Sequence, residues 1–303
     1  MSKAGDHSNV WQMRSTPWLR RWGILVLTIF GALSVAACSP LRVFNAVIAK
    51  DGGTRLVVQS ARFGADPRQT MDLYAPSAPA ARPLPMIVFI YGGSWNSGTK
   101  AGYGFVGRAL AARGFLVAIP DYRLVPQVRY PGFLEDNAAA VKWLIGHAAD
   151  YGGDPGRVVL AGHSAGAYDA AMLAYDPRWL GKDRRAVRAM IGLAGPYDFL
   201  PSTSKNVNEA FGEVTDPGSS QPINHITEGG APALLSTGDK DSTVLPVNSD
   251  KLAAKLRAAG IIAERKTYAN LGHVGLVTSL AKPLRGKAPV LDDMVRFAHQ
   301  NAD

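Results

Sequence analysis

One cysteine, Cys38, stands in 303 residues, so no disulfide can close within the chain. Stability has to come from a packed core, and cysteine usage says nothing about redox compartment. The sequence also lacks internal repeats and low-complexity stretches, which excludes repeat architectures. Its net charge is +9, yet the basic residues form no dense run and no aromatic-interleaved patch. Nucleic acid is therefore not an expected partner. Only 6 histidines are present, and no set of ligating residues has zinc-site spacing, so neither a metal nor an organic cofactor is expected. What remains is an ordinary globular composition, 47% hydrophobic and 19% charged. The length suits one large α/β domain or two small ones.

The first 37 residues do not read as part of the fold. Lys3, Arg14, Arg20 and Arg21 form a basic head, and Gly23 to Ala37 is an apolar run too short for a comfortable membrane span. The run ends in Val35-Ala36-Ala37-Cys38, with Ser39 next. Basic region, apolar region and small residues before a cysteine resemble a bacterial lipoprotein signal, in which the cysteine is acylated and becomes the mature N-terminus. The resemblance implies a chain cut before Cys38 and exported. It would be held by lipid on the cell envelope, at the periplasmic side of the outer membrane, with residues 38–52 as a tether. Without the signal the chain stays net basic, which suits a surface facing anionic headgroups.

From residue 53 onward, strand and helix patterns alternate. Arg55–Ala61 and Thr70–Tyr74 alternate apolar and polar residues and are expected as two antiparallel edge strands. Pro85–Ile90 is a solid apolar run, as for a strand buried on both faces of a parallel sheet. Phe115–Pro120, Arg157–Ala161, Ala189–Ala194, Ala233–Thr237 and Ile261–Tyr268 are further strand candidates. Helical patterns fall at 101–113, 133–149, 248–259 and 290–300. This order implies an α/β domain with a mostly parallel sheet covered on both faces by helices. Residues 195–230, rich in Pro, Ser, Asn and Gly, are too long for a plain connection and are expected to form a small cap or lid.

The chemistry centres on Gly162-His163-Ser164-Ala165-Gly166. A β-branched run precedes it and an Ala-rich helical segment follows, which is the strand–turn–helix context of a nucleophile elbow. Small residues let the turn close, and Ser164 would stand at a helix N-terminus, where negative charge is favoured. A serine hydroxyl needs a base beside it, and the base needs an orienting acid. His273, in a loop after the last strand, has the right order and the right end of the sheet; His225 in the cap is the alternative. The loop after Thr237 offers two acids, Asp239 and Asp241. Oxyanion donors are expected from the Ala165 N–H and from the Gly92-Gly93-Ser94 turn, where absent side chains let backbone approach.

Together, Tyr91-Gly92-Gly93-Ser94-Trp95, Asp121-Tyr122-Arg123-Leu124, the elbow, Gly238 through Val244, and His273 resemble an α/β-hydrolase. The branch is that of hormone-sensitive-lipase-like, kynurenine-formamidase-like and bacterial feruloyl-esterase-like enzymes, and the likeness covers about residues 55–300. It implies Ser164, Asp241 and His273 as a triad, with Gly93, Ser94 and Ala165 as oxyanion donors. The family's G-x-x-D-x-x-V spacing matches Gly238, Asp241 and Val244. The departure is Tyr91, where the family carries a histidine that braces the loop. The implied activity is serine carboxylesterase on a small-molecule ester, with no cofactor. Hydrolysis of amides or formamides on the same triad, or ligand binding by a non-catalytic lipoprotein, are the alternatives.

Overall fold

The computed structural model describes Met1 and residues 40–303; the basic head, the apolar run and Cys38 lie outside the described residues. Leu41–Asp303 is one compact unit. Within the stretch expected as a tether, Pro40–Val47 is a helix, α1. Its Asn45 side chain donates to the Ala101 carbonyl at 2.9 Å and accepts from the Phe105 N–H at 2.8 Å. Phe44 meets Phe105 edge-on at 5.3 Å. Asp51 pairs with Arg285. Residues 41–51 are thus fastened to the domain rather than free of it.

The domain is built on an 8-stranded sheet ordered β1-β2-β4-β3-β5-β6-β7-β8. The strands are β1 Thr54–Arg62, β2 Thr70–Pro76, β3 Leu84–Ile90, β4 Leu116–Pro120, β5 Gly153–His163, β6 Val187–Leu193, β7 Ala233–Gly238 and β8 Ala263–Tyr268. Pairings β1–β2 and β2–β4 are antiparallel and the others parallel. This is the α/β-hydrolase architecture. Only β1 is an edge strand at this end. β2, also expected at the edge, lies between β1 and β4, and nearly all of it is buried. The apolar runs of β3 and β4 are buried on both faces, as parallel strands between helix layers must be.

The helices alternate with the strands. α2 (Gly104–Ala111) links β3 to β4, and α3 (Gly132–His147) links β4 to β5. α3 buries Phe133, Leu134, Ala138, Val141 and Leu144, a stripe at helical spacing. α4 (Ala165–Tyr175) follows β5 and is buried along its whole length. The short α5 (Pro177–Leu180) follows, then α6 (Lys205–Phe211), α7 (Val247–Ala258), α8 (His273–Thr278) and α9 (Val290–Ala302). From β3 the chain crosses to β4 on one side, then returns past β3 to β5 on the other. That reversal opens a crevice at the C-terminal ends of β3 and β5, where sites form in open α/β sheets.

Between β6 and β7 the expected cap carries α6 and two single-turn helices, Pro217–Ser220 and Pro222–His225. It is packed down. Phe211 lies 4.8 Å from Trp95, and the Tyr168 hydroxyl donates to the Ser220 carbonyl at 2.8 Å. The Gln221 amide oxygen accepts from the Phe199 N–H at 2.9 Å.

Candidate active site

Ser164 connects β5 to α4 with φ 56° and ψ −125°. Non-glycine residues rarely adopt a positive φ, and such strain collects at functional sites. Ser94, Trp95, Ala194 and Asn270 also have positive φ, each just beyond the C-terminal end of a strand. The elbow closes only because its neighbours lack side chains. A Cβ on Gly166 would sit 2.1 Å from the Ile90 carbonyl oxygen, and one on Gly92 would sit 2.8 Å from Ser164 Cβ. The turn after β3 and the elbow after β5 therefore lie in van der Waals contact.

Three of the expected residues meet in one line. Ser164 Oγ is 2.8 Å from His273 Nε2, and His273 Nδ1 is 2.8 Å from Asp241 Oδ2. Asp241 Oδ1 accepts the Thr243 and Val244 N–H groups, each at 2.9 Å, which fixes the carboxylate from the far side. Asp239 is exposed, and its N–H donates to the Tyr268 carbonyl at 3.0 Å. His273 opens helix α8, not a loop; Gly272 precedes it in extended conformation. Three other described histidines lie elsewhere. His225 donates to the Ser219 carbonyl at 2.9 Å, His299 to the Arg113 carbonyl at 3.0 Å and His147 to the Trp143 carbonyl at 2.8 Å.

The N–H groups of Gly93 and Ser94 donate to no protein acceptor among the described residues. Ala165 is the first residue of α4, so its N–H has no intrahelical acceptor. Ser94, Ser164 and Ala165 line one cavity of about 470 Å³. Donors there are ready for an oxygen that gains negative charge beside Ser164.

A buried polar network fixes the β3 turn. Tyr91, in place of the family's histidine, stacks between Tyr103 and Tyr122 at 5.5 and 4.8 Å. Its hydroxyl donates to Asp121 Oδ1 at 2.8 Å and accepts from Arg68 Nη2 at 2.9 Å. Burial, then the Asp121 charge, push its pKa well above the ordinary tyrosine value, so it stays a neutral strut. Tyr122 donates to the Tyr91 carbonyl at 2.9 Å, and Arg123 clasps Asp136. The Asp121-Tyr122-Arg123 motif is thus a brace under the oxyanion turn. Arg68 is too remote in sequence to have been singled out.

His163 lies inside the elbow, next to Ser164. Its fully buried ring donates from Nε2 to the His273 carbonyl at 3.1 Å, tying the elbow to the backbone of the base. Nδ1 has no partner among the described residues. Burial, then the neighbouring His273, push the His163 pKa down to about 3. The imidazole is therefore neutral at any working pH, with its proton on Nε2.

The BD-FAE family model matches residues 71–256. Over 275 residues, 81% of this chain, the sequence is 41% identical to a probable isoprenylcysteine alpha-carbonyl methylesterase ICMEL1 of Oryza sativa subsp. japonica, covering 63% of that protein. It is 30% identical over 230 residues to carboxylesterase NlhH of Mycobacterium tuberculosis, covering 68% of this chain and 70% of that one. Across the first curated relatives it matches, the chain spans between 30% and 63% of their length. Among solved structures, an inhibited esterase B from Lactobacillus rhamnosis overlays with a TM-score of 0.74 at 21% identity, over 92% of this chain and 96% of that one. That likeness shows the fold.

In Asp241→Asn, the two backbone N–H groups hold the amide oxygen, so the NH₂ faces His273 Nδ1. The ring must then carry its proton on Nε2, where it cannot accept one from Ser164. Ester turnover should show kcat lowered about 10⁴-fold, close to 5 kcal/mol of barrier. Asp239→Asn should lose about 10-fold or less. Measured on one p-nitrophenyl ester, a reversed ranking of the two variants would overturn the assignment.

Unfolded His163 takes up a proton near pH 6.5, whereas the native residue resists protonation until about 3. Below pH 6.5 the unfolded state binds more protons, so this contribution to stability is full above 6.5 and is lost as pH falls toward 3. At pH 5 the loss is about 2 kcal/mol. His163→Gln keeps a donor for the His273 carbonyl and removes the titration. Urea unfolding at pH 7.5 and pH 5 should show a pH dependence smaller by about that amount; equal dependence in both proteins would count against it.

Proposed function

The chain belongs to the BD-FAE family of α/β-hydrolases, and from that premise we propose that it is a serine carboxylesterase. The observation that carries the reading is the unbroken line Ser164 Oγ–His273 Nε2 and His273 Nδ1–Asp241 Oδ2, each link 2.8 Å. Ser164 Oγ attacks the ester carbonyl carbon while Nε2 takes its proton. Asp241 fixes the tautomer that leaves Nε2 free and steadies the imidazolium. The carbonyl oxygen, now negative, takes the N–H groups of Ala165, Gly93 and Ser94. Collapse expels the alcohol, which receives the proton from Nε2. Water, deprotonated by the same nitrogen, then releases the acid and restores Ser164.

The cavity beside Ser164 is lined by no Lys, Arg, Asp or Glu. One part is apolar, with Trp95, Phe199, Val207 and Leu245; another carries the hydroxyls of Ser202 and Thr243. Burying an unpaired charge there would be costly, so a neutral ester fits. The relatives named as a methylesterase and a carboxylesterase support ester over amide chemistry. Ser164→Ala should lower turnover of a p-nitrophenyl ester about 10⁴-fold or more while the protein still folds. A fluorophosphonate probe should label wild type at Ser164 and leave this variant unlabelled. Run beside the esters, a formamide and feruloyl and acetyl esters separate the acyl and amide readings. A folded Ser164→Ala variant with near-wild-type turnover would end the serine-esterase reading.

The anchor is a second part of the proposal, and it rests on sequence: a basic head, an apolar run, and Cys38 after Val35-Ala36-Ala37. Cleavage before Cys38 and lipidation of that cysteine would hold the domain on the periplasmic side of the outer membrane. Mass spectrometry of the mature N-terminus should find Cys38 carrying lipid, and Cys38→Ala should lose it. An unmodified cysteine, or a mature chain that begins elsewhere, excludes this anchor.

A further inference from the structure

One buried carboxylate has no place in the proton relay. Asp169 lies on α4, the helix that starts at Ser164, and its side chain is fully buried. No Lys, Arg or His pairs with it among the described residues. Oδ1 accepts the Trp95 indole N–H at 3.2 Å, and Oδ2 accepts from Asn137 Nδ2 at 3.1 Å. Burial disfavours its charged form and pushes its pKa well above the usual carboxylate range. An apolar side chain would avoid that cost, so the position needs an account.

The partner supplies one. Trp95 ends the oxyanion turn, and Ser94 and Trp95 have φ 49° and 58°. Two successive non-glycine residues in left-handed conformation store about 1–3 kcal/mol each, and persist only where the surroundings hold them. The loop's own bonds do part of this: the Asn96 and Ser97 N–H groups donate to the Gly93 carbonyl at 3.1 and 3.0 Å. The network beneath Tyr91 and the Val125 N–H, which donates to the Trp95 carbonyl at 2.9 Å, hold the backbone further, but none of these bonds reaches the helix that starts at Ser164. The Trp95 ring does. It stacks on Phe133 and Phe199 at 5.7 and 5.8 Å and meets Tyr168 and Phe211 edge-on at 5.3 and 4.8 Å. Apolar walls allow a flat ring to slide or tilt; a single directional bond at the indole nitrogen does not. That bond ends on the same helix that carries the nucleophile at its N-terminus.

We propose that Asp169 is a positioning residue for the oxyanion hole: by holding the Trp95 indole, it locks the Gly93–Ser94 donors to the nucleophile helix. This rests on the esterase reading given above. The bond links the two halves of the acyl-transfer machinery, the nucleophile after β5 and the donors after β3, through one rigid element. Asn137, on α3, sets the carboxylate in turn: its amide donates to Asp169 Oδ2 and also to the Phe133 carbonyl at 3.0 Å.

The test uses Asp169→Leu, Asp169→Asn and Trp95→Phe. On p-nitrophenyl butyrate, Asp169→Leu should lower kcat about 100-fold, the scale of losing one oxyanion donor, with KM within about 3-fold. Affinity for a trifluoromethyl ketone, whose adduct with Ser164 places a negative oxygen in the hole, should fall by a similar factor. Asp169→Asn keeps an acceptor for the indole and should recover most of both. Trp95→Phe removes the N–H together with the fused five-membered ring, so its kcat and inhibitor affinity should fall at least as far as in Asp169→Leu, with KM also free to change because Trp95 lines the cavity; it also serves if Asp169→Leu does not fold. The Trp95 indole ¹H–¹⁵N resonance should move in Asp169→Leu and stay near its place in Asp169→Asn. Near-wild-type kcat in a folded Leu or Phe variant overturns the proposal. So does a loss of kcat with inhibitor affinity and the Trp95 resonance unchanged. Absence of ester turnover in wild type would instead remove the esterase reading, so the two failures are distinct.

Discussion

The constraint on which the site depends is the close approach of two strand ends. β3 and β5 are parallel neighbours, with Ile90 opposite Gly162, and the chain leaves them in opposite directions. The turn after β3 and the elbow after β5 must share the space above that pair. Only main chain without side chains fits, as the 2.8 Å that would separate a Gly92 Cβ from Ser164 Cβ shows. That contact brings unpaired N–H groups next to a serine hydroxyl. Distance alone is not enough, because acyl transfer needs the donors aimed at an oxygen that appears only in the transition state.

The rest of the structure maintains that aim against strain. Left-handed residues at 94, 95 and 164 would relax in an isolated peptide. They are held from three sides. Beneath the β3 turn, the Arg68–Tyr91–Asp121 network and the stacked Tyr103 and Tyr122 rings give a stiff support in which donors and acceptors are matched. Behind Ser164, α4 is buried throughout, so the helix cannot shift without disturbing the core. Beside it, His163 joins the elbow to the backbone of His273. Two of these ties are directional hydrogen bonds and the third is close packing.

The insertion between β6 and β7 belongs to this arrangement. Phe199, Val207 and Ser202 from it form one wall of the cavity, while the loop that carries Asp241 forms another through Thr243 and Leu245. Asp241 and one wall of the cavity thus share one loop, and Phe211 of the insertion packs against Trp95 at the end of the β3 turn. The cavity wall at Phe199 and the Trp95 end of the β3 turn lean on the same aromatic cluster.

Sequence by itself determined the features that local physics imposes. The elbow was legible because a sharp strand-to-helix turn needs small residues around a serine at fixed spacing. The parallel sheet was legible because doubly buried strands must be continuous apolar runs. His273 was legible from its order and its place after the last strand. Asp241 is picked over Asp239 by the family's G-x-x-D-x-x-V spacing; the fold supplied the physical reason, since of the two carboxylates only that of Asp241 faces inward to His273. Only the tertiary structure decided the docked α1, the interior place of β2, the helix that begins at His273, and the roles of Arg68, His163 and Asp169. These depend on which distant segments the strand order brings together. Spacing along a chain records what a residue's immediate neighbours demand; it does not record which remote side chain will stand across a sheet from it.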